Sequence, residues 1–115
     1  ARTFCYYSEV KSMQEKGLAQ GGSLDNAIVI KNSKIMNSDG LRYKDEFVRH
    51  KVLDLIGDFS LIGYDFVGSI TAECPGHEMN SKIISKLMSN SDNYELIQYE
   101  EKPQSFNQEY AAVAY

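Results

Sequence analysis

The segment from Asp45 to Asp58 reads DEFVRHKVLDLIGD, and a helix there throws His50, Asp54 and Asp58 toward neighbouring turns of one face. An imidazole and carboxylates in that register are the residue types that a zinc ion or a positioned proton carrier requires. Side chains four positions apart on a helix are neighbours at about 5–6 Å, so His50 and Asp54 could close on one cation, two of the usual three protein ligands of a catalytic zinc. Such a zinc keeps a position for water and lowers its pKa to about 7, which makes hydrolysis the natural use. The only other histidine, His77, follows Pro75-Gly76 in what reads as a loop just ahead of a helix. It could be a third ligand, but Asp58, one turn beyond Asp54, could instead take one of its ring nitrogens. That bond fixes the tautomer, favours the imidazolium and leaves the other nitrogen as a proton donor, so an acid catalyst is the preferred reading. Lys51 lies off the His50/Asp54 line and could serve as a point charge for a phosphate.

Blander readings stand beside these. A His/Asp pair at this spacing is common on solvated helices, and a lone histidine after a Pro-Gly turn is more often an exposed loop residue or a helix cap. Gly21-Gly22-Ser23 is most simply a turn, not a phosphate-binding loop. Val10, Ala19, Leu24, Ala27 and Val29 are most simply core, with a groove for an apolar ligand as the alternative.

The elements that must position these residues come from one domain's worth of chain. With 115 residues, 43% of them apolar, a single core is expected. Ala1 stands first and strand-like Arg2-Thr3-Phe4 follows at once, so the chain is expected to be a piece of something longer or processed. A net charge of −4, with lysines and arginines scattered, gives no electrostatic footprint for nucleic acid, and such partners are discounted. Cys5 and Cys74 form no C-x-x-C pair and suit a reducing interior, so a cytoplasmic location is expected. No apolar run approaches the roughly 20 residues that span a bilayer, since Asp58 and Asp65 interrupt the best candidate. A soluble chain with no transmembrane segment and no leader is expected.

Residues 2–7 read as a strand, followed by a short helix capped by Ser8 and stopped by Gly17. Ala27 to Ile30 has the length of a buried strand, and a second small strand surrounds Lys34-Ile35-Met36. The long helix is placed from about Asp45 to Leu61, where Phe47, Val48, Leu55, Ile56 and Phe59 can share an apolar stripe. Phe66 to Ala72 is expected as a strand, Asn80 to Ser89 as a helix and Tyr94 to Tyr99 as a final strand. Residues 100–115 are expected to form an extended tail. The sum is an α+β fold, a two-layer sandwich of a small mixed sheet with helices on one face and a βαβ insert at about 7–36.

Four stretches, ARTF at 1–4, GGSLDNAIV at 21–29, NSDGLRYKDEFVRHKVLDLIGD at 37–58 and GHEMN at 76–80, carry a family resemblance. The chain resembles, up to about Tyr99, the C-terminal catalytic half of bacterial UDP-3-O-acyl-N-acetylglucosamine deacetylases, the zinc amidases of lipid A biosynthesis. The resemblance implies Zn2+ as cofactor, His50 and Asp54 as two of its ligands, Asp58 as the carboxylate orienting a histidine, and His77 as the general acid. It implies that Thr3 helps polarise the attacked carbonyl, that Lys51 contacts the phosphates of the nucleotide sugar and that Phe4 lies beside the sugar. Val10, Leu24, Ala27 and Val29 then belong to a passage for the fatty acyl chain. The reaction implied is metal-assisted hydrolysis of the acetamide of the UDP-3-O-acyl-N-acetylglucosamine substrate, releasing acetate. The family's third zinc ligand and its general-base glutamate lie in a T-x-E-H motif of the N-terminal half, and no such motif occurs in these 115 residues. A missing N-terminal domain is therefore the implied partner. Cys74 stands where the family usually carries a basic residue, so one phosphate contact is expected to differ. Two alternatives stay open: a nucleotide-sugar or acyl-chain binding module without catalysis, and a small interaction domain whose His/Asp pair is surface decoration.

Overall fold

The computed structural model describes residues 1–98. Its elements run β1 (Thr3–Tyr6), α1 (Tyr7–Glu15), β2 (Ala27–Lys31), β3 (Lys34–Ile35), α2 (Glu46–Ser60) and α3 (His77–Met88), with a short 3-10 turn at Ser91–Asn93. The fold is α+β, with three helices and a three-stranded mixed sheet in the order β1-β2-β3.

β1 and β2 pair in parallel, Thr3 with Ala27, Phe4 with Ile28 and Cys5 with Val29, which forces a crossover, and α1 supplies it by packing on both strands. The βαβ unit therefore begins at Thr3, not at about residue 7. Helix α1 starts one residue before Ser8 because Glu9 reaches back to accept the Tyr6 backbone N–H at 2.9 Å. It stops where Gly17 takes a φ of +73° and its N–H closes on the Gln14 carbonyl at 2.9 Å. β2 and β3 form a hairpin whose two turn residues, Asn32 and Ser33, both have positive φ, the twist that two-residue hairpins require.

Helix α2 has the expected extent to within a residue at each end, but its apolar stripe is only partly covered. Phe59 is buried, while Val48 is 49% and Ile56 62% exposed, because no layer of the described residues lies over that side. The expected strand at Phe66–Ala72 is irregular backbone. This segment runs along α2 and α3, where Phe66 meets Phe59 edge-on at 5.2 Å and helps wall a cleft of about 460 Å³ with Leu55 and Met79. A Cβ at Gly68 would meet the far edge of the Phe66 ring at 2.7 Å, so a larger residue there would have to shift that ring. Residues 94–98 likewise form no strand, and Tyr99 with the expected tail lies outside the described residues. β-Branched and aromatic content favours extended chain, but a strand exists only where a partner takes its hydrogen bonds, and among the described residues neither segment finds one.

α3 starts three residues earlier than expected, so His77 is its first residue rather than a loop residue. The helix packs on α2 and reaches the sheet only through it. The single packed core expected from composition is small. Ile28 and Phe59 are its buried apolar residues among those described, whereas Arg2, Asn37, Glu46 and Asn80 are buried polar ones.

Candidate functional site

Five residues singled out by type and spacing, His50, Lys51, Asp54, Asp58 and His77, meet on α2 and the first turn of α3. On α2, His50 Nε2 lies 3.3 Å from Asp54 Oδ1, and both side chains are largely buried, at 17% and 15% exposure. The other Asp54 oxygen faces Lys51 Nζ at 3.9 Å. From α3, His77 presents Nε2 to Asp54 Oδ1 at 3.9 Å and Nδ1 to Asp58 Oδ2 at 2.9 Å. Asp54 Oδ1 thus stands between two imidazoles, and Asp58 secures the second.

Each group has a cause for its state. Asp58 accepts the Asn80 side-chain amide at 2.8 Å and the His77 ring, and these two bonds hold its pKa below the ordinary carboxylate value. In return Asp58, by hydrogen bond and charge, and then Asp54 raise the pKa of His77, against the opposing effects of burial and Lys51. A cation on the first residue of a helix opposes the macrodipole, so the imidazolium depends on those two carboxylates. His50 Nδ1 faces the Ala1 carbonyl at 3.4 Å. A carbonyl only accepts, so a neutral ring with its proton on Nδ1 satisfies this contact and turns the Nε2 lone pair toward Asp54 Oδ1.

Two lone-pair donors facing each other at 3.3 Å suit a cation between them. Tetrahedral bonds of about 2.0–2.1 Å put donor atoms roughly 3.3 Å apart, so this donor set fits two zinc ligands. Among the described residues, no group of three His, Cys, Asp or Glu side chains comes together to hold a metal ion. His50 and Asp54 would supply two of the ligands such an ion requires.

The remaining candidates are placed less closely. Phe4 packs edge-on against Phe47 at 4.8 Å and His50 at 6.2 Å, and Lys51 Nζ lies 5.5 Å from the Phe4 ring centre, so both border the cluster. Thr3 is exposed at the start of β1, paired in register with Ala27, and makes no hydrogen bond with the cluster. Val10 on α1 and Ala27 and Val29 on β2 are half-buried, with Ala27 and Val29 on one face of their strand, while Leu24 is 45% exposed in the preceding turn.

Sequence reasoning gave no role to Asn80, Arg2 or Glu46. Asn80 lies one turn after His77, a spacing that could have marked it as sharing the acceptor of that histidine. Glu46 stands one turn before His50, but nothing in a sequence tells that its carboxylate and the Arg2 guanidinium are buried together.

A family model described as UDP-3-O-acyl N-acetylglycosamine deacetylase matches residues 1–89. The chain is 48% identical over 112 residues to a UDP-3-O-acyl-N-acetylglucosamine deacetylase of Sulfurimonas denitrificans, an alignment covering 96% of the chain and 38% of that protein. It is 48% identical to the protein of that name from Citrifermentans bemidjiense, covering 93% of the chain and 34% of the relative. For the Mannheimia succiniciproducens protein of the same name the identity is 47%, over 89% of the chain and 33% of the relative. The chain thus spans about a third of the length of the curated relatives it matches. The match to the family model over most of the chain, and these identities over nearly all of it, place the chain in the UDP-3-O-acyl N-acetylglycosamine deacetylase family.

Proposed function

We propose that this chain forms the C-terminal part of a zinc-dependent amide hydrolase that removes the N-acetyl group of UDP-3-O-(3-hydroxyacyl)-N-acetylglucosamine, a step of lipid A synthesis in the cytoplasm. The observation that carries the reading is the convergence of His50 Nε2 and His77 Nε2 on one oxygen of Asp54, at 3.3 and 3.9 Å. Family membership supplies the substrate class through the names of the relatives. No helix of the described residues is long and apolar enough to cross a membrane.

Zinc held by His50, Asp54 and a third ligand from a preceding region would supply Lewis acidity and lower the pKa of water to about 7. Hydrolysis breaks the acetamide C–N bond, with the oxygen of water ending on the acetyl carbon and the departing nitrogen taking a proton. His77 is the donor of that proton. Its Nδ1 is occupied by Asp58, which favours the protonated ring and leaves Nε2 turned toward the Asp54 side of the site. Thr3 helps polarise the carbonyl, Phe4 lies against the sugar and Lys51 meets the diphosphate as a point charge. Val10, Leu24, Ala27 and Val29 contribute to the passage for the acyl chain. The glutamate that takes the proton of water belongs to the preceding region.

The test is zinc content and acetate release by the chain joined to that region. His50→Ala and Asp54→Ala should each abolish stoichiometric zinc, and His77→Ala should keep zinc while lowering kcat by about 10²–10⁴-fold. Undiminished zinc in both ligand variants, or normal turnover in His77→Ala, would remove the reading.

A further inference from the structure

One peptide group spans two successive turns of the helix that carries the site. The carbonyl of Ala1 faces His50 Nδ1 at 3.4 Å, and the N–H on the other side of the same Ala1–Arg2 amide donates to Glu46 Oε1 at 3.0 Å. Glu46 and His50 are four positions apart on α2, and an amide is planar and rigid, so fixing its N–H fixes the direction of its carbonyl. What fixes the N–H is unusually complete. Glu46 is fully buried and takes four donors, the Arg2 backbone N–H, Arg2 Nε at 3.0 Å, Arg2 Nη2 at 3.2 Å and the Arg42 backbone N–H at 2.7 Å. The Arg2 fork is held from its far side by Asp39 at 3.1 Å and by the Gly40 carbonyl at 2.7 Å.

Stability alone does not account for this arrangement. The desolvation of a buried ion pair offsets much of its attraction, and apolar replacements of similar volume are often no worse. Here, among the described residues, the apolar core is small and the largest fully buried side chains are Ile28 and Glu46. A buried pair whose attraction is partly offset by desolvation but whose fork fixes geometry fits a position one turn from a metal ligand, whose second ring nitrogen is ordinarily held by an outer partner.

We propose that Arg2 and Glu46 are positioning residues that aim the His50 ring by clamping the Ala1–Arg2 peptide against the first turn of α2. The clamp sets the Nδ1–H tautomer and turns Nε2 toward Asp54. His50 enters here as a metal ligand, as in the proposed function.

Glu46→Gln keeps the shape of the side chain but turns an NH2 group toward donors, and Arg2→Lys keeps the charge but loses the fork. Both are made in the chain joined to its preceding region, with Arg49→Ala as control, since that variant breaks the exposed Arg49–Asp45 pair on the same turn without touching the clamp. Ring 15N shifts of His50, assigned by their loss in His50→Ala, report the tautomer without metal, and competition with a chelator reports zinc affinity. The parent and Arg49→Ala should show one Nδ1–H tautomer and equal zinc affinity. Glu46→Gln should show mixed tautomers and bind zinc on the order of 10-fold or more weakly, with Arg2→Lys changed in the same direction by less. Parental tautomer and affinity in a folded Glu46→Gln overturn the clamp, as does an equal loss in Arg49→Ala. If Glu46→Gln does not fold, Arg2→Lys decides in the same way. Failure of the zinc reading is distinguishable, because zinc uptake is then indifferent to His50→Ala while the tautomer still reports the clamp.

Discussion

His77 Nδ1 lies 2.9 Å from Asp58 Oδ2 although 19 positions separate the two residues, and the same oxygen accepts the Asn80 amide at 2.8 Å. One carboxylate thus joins the C-terminal part of α2 to the first turn of α3 and favours the protonated form of an otherwise exposed imidazole.

Asp58→Asn should move the basic limb of the pH–rate profile to lower pH. Asp58 raises the His77 pKa, so in the parent the protonated acid persists to higher pH, and removing the negative charge releases the proton earlier. The profile of kcat/KM against pH measures this in the chain joined to its preceding region, and an unmoved limb would show that another group is the acid.

Stability should fall on acidification below about pH 4.5. The folded pKa of Glu46 is held at about 2 by Arg2, and that of Asp58 is lowered by Asn80 and His77. Their contributions are present above the unfolded values near 4 and are lost as the pH falls through the folded ones. The raised pKa of His77 acts in the opposite sense, stabilising below about pH 6.5 and fading as the pH rises through the folded value, with a small effect because the ring is 71% exposed. Urea midpoints measured across pH 2–8 check both slopes, and a flat acid limb contradicts the buried clamp.

Asn37→Ala should destabilise the βαβ unit by about 2 kcal/mol or more. The Asn37 side chain accepts from the Val29 N–H at 3.1 Å and donates to the carbonyls of Leu24 and Ala27 at 2.6 and 2.8 Å, so alanine leaves these backbone groups without their partner. Hydrogen exchange should accelerate in β2 and the preceding turn while α3 stays protected. Uniform acceleration would mean that the unit does not open separately.

The 115-residue chain by itself should bind zinc weakly and release little acetate. Its site offers the His50 and Asp54 donors without a third His, Cys, Asp or Glu among the described residues. Titration calorimetry with zinc and an acetate assay check this, and normal turnover by the chain alone would refute it.

Several features were legible in the sequence because they are local. The spacing of His50, Asp54 and Asp58 dictates one helical face wherever α2 forms, and the apolar run at 27–30 dictates a strand. α1 starts two residues ahead of the helix that a Ser8 cap would begin, because Glu9, next to Ser8 in the chain, reaches back to the Tyr6 N–H. The segments at 66–72 and 94–98 depart from expectation for the opposite reason. Their composition favours extended backbone, but a strand is a relation between two segments, and its hydrogen bonds need a partner that no local pattern supplies.

What the sequence alone determined is the chemistry available, a histidine and two carboxylates in register on one helix with a second histidine further along. Only the tertiary structure decided which nitrogen meets which oxygen. It placed His77 on the first turn of α3, turned Asn80 onto Asp58 and buried Arg2 against Glu46. Periodicity fixes the face of a helix, whereas the distance between faces is set by how separate elements pack, and no spacing along a chain encodes that directly.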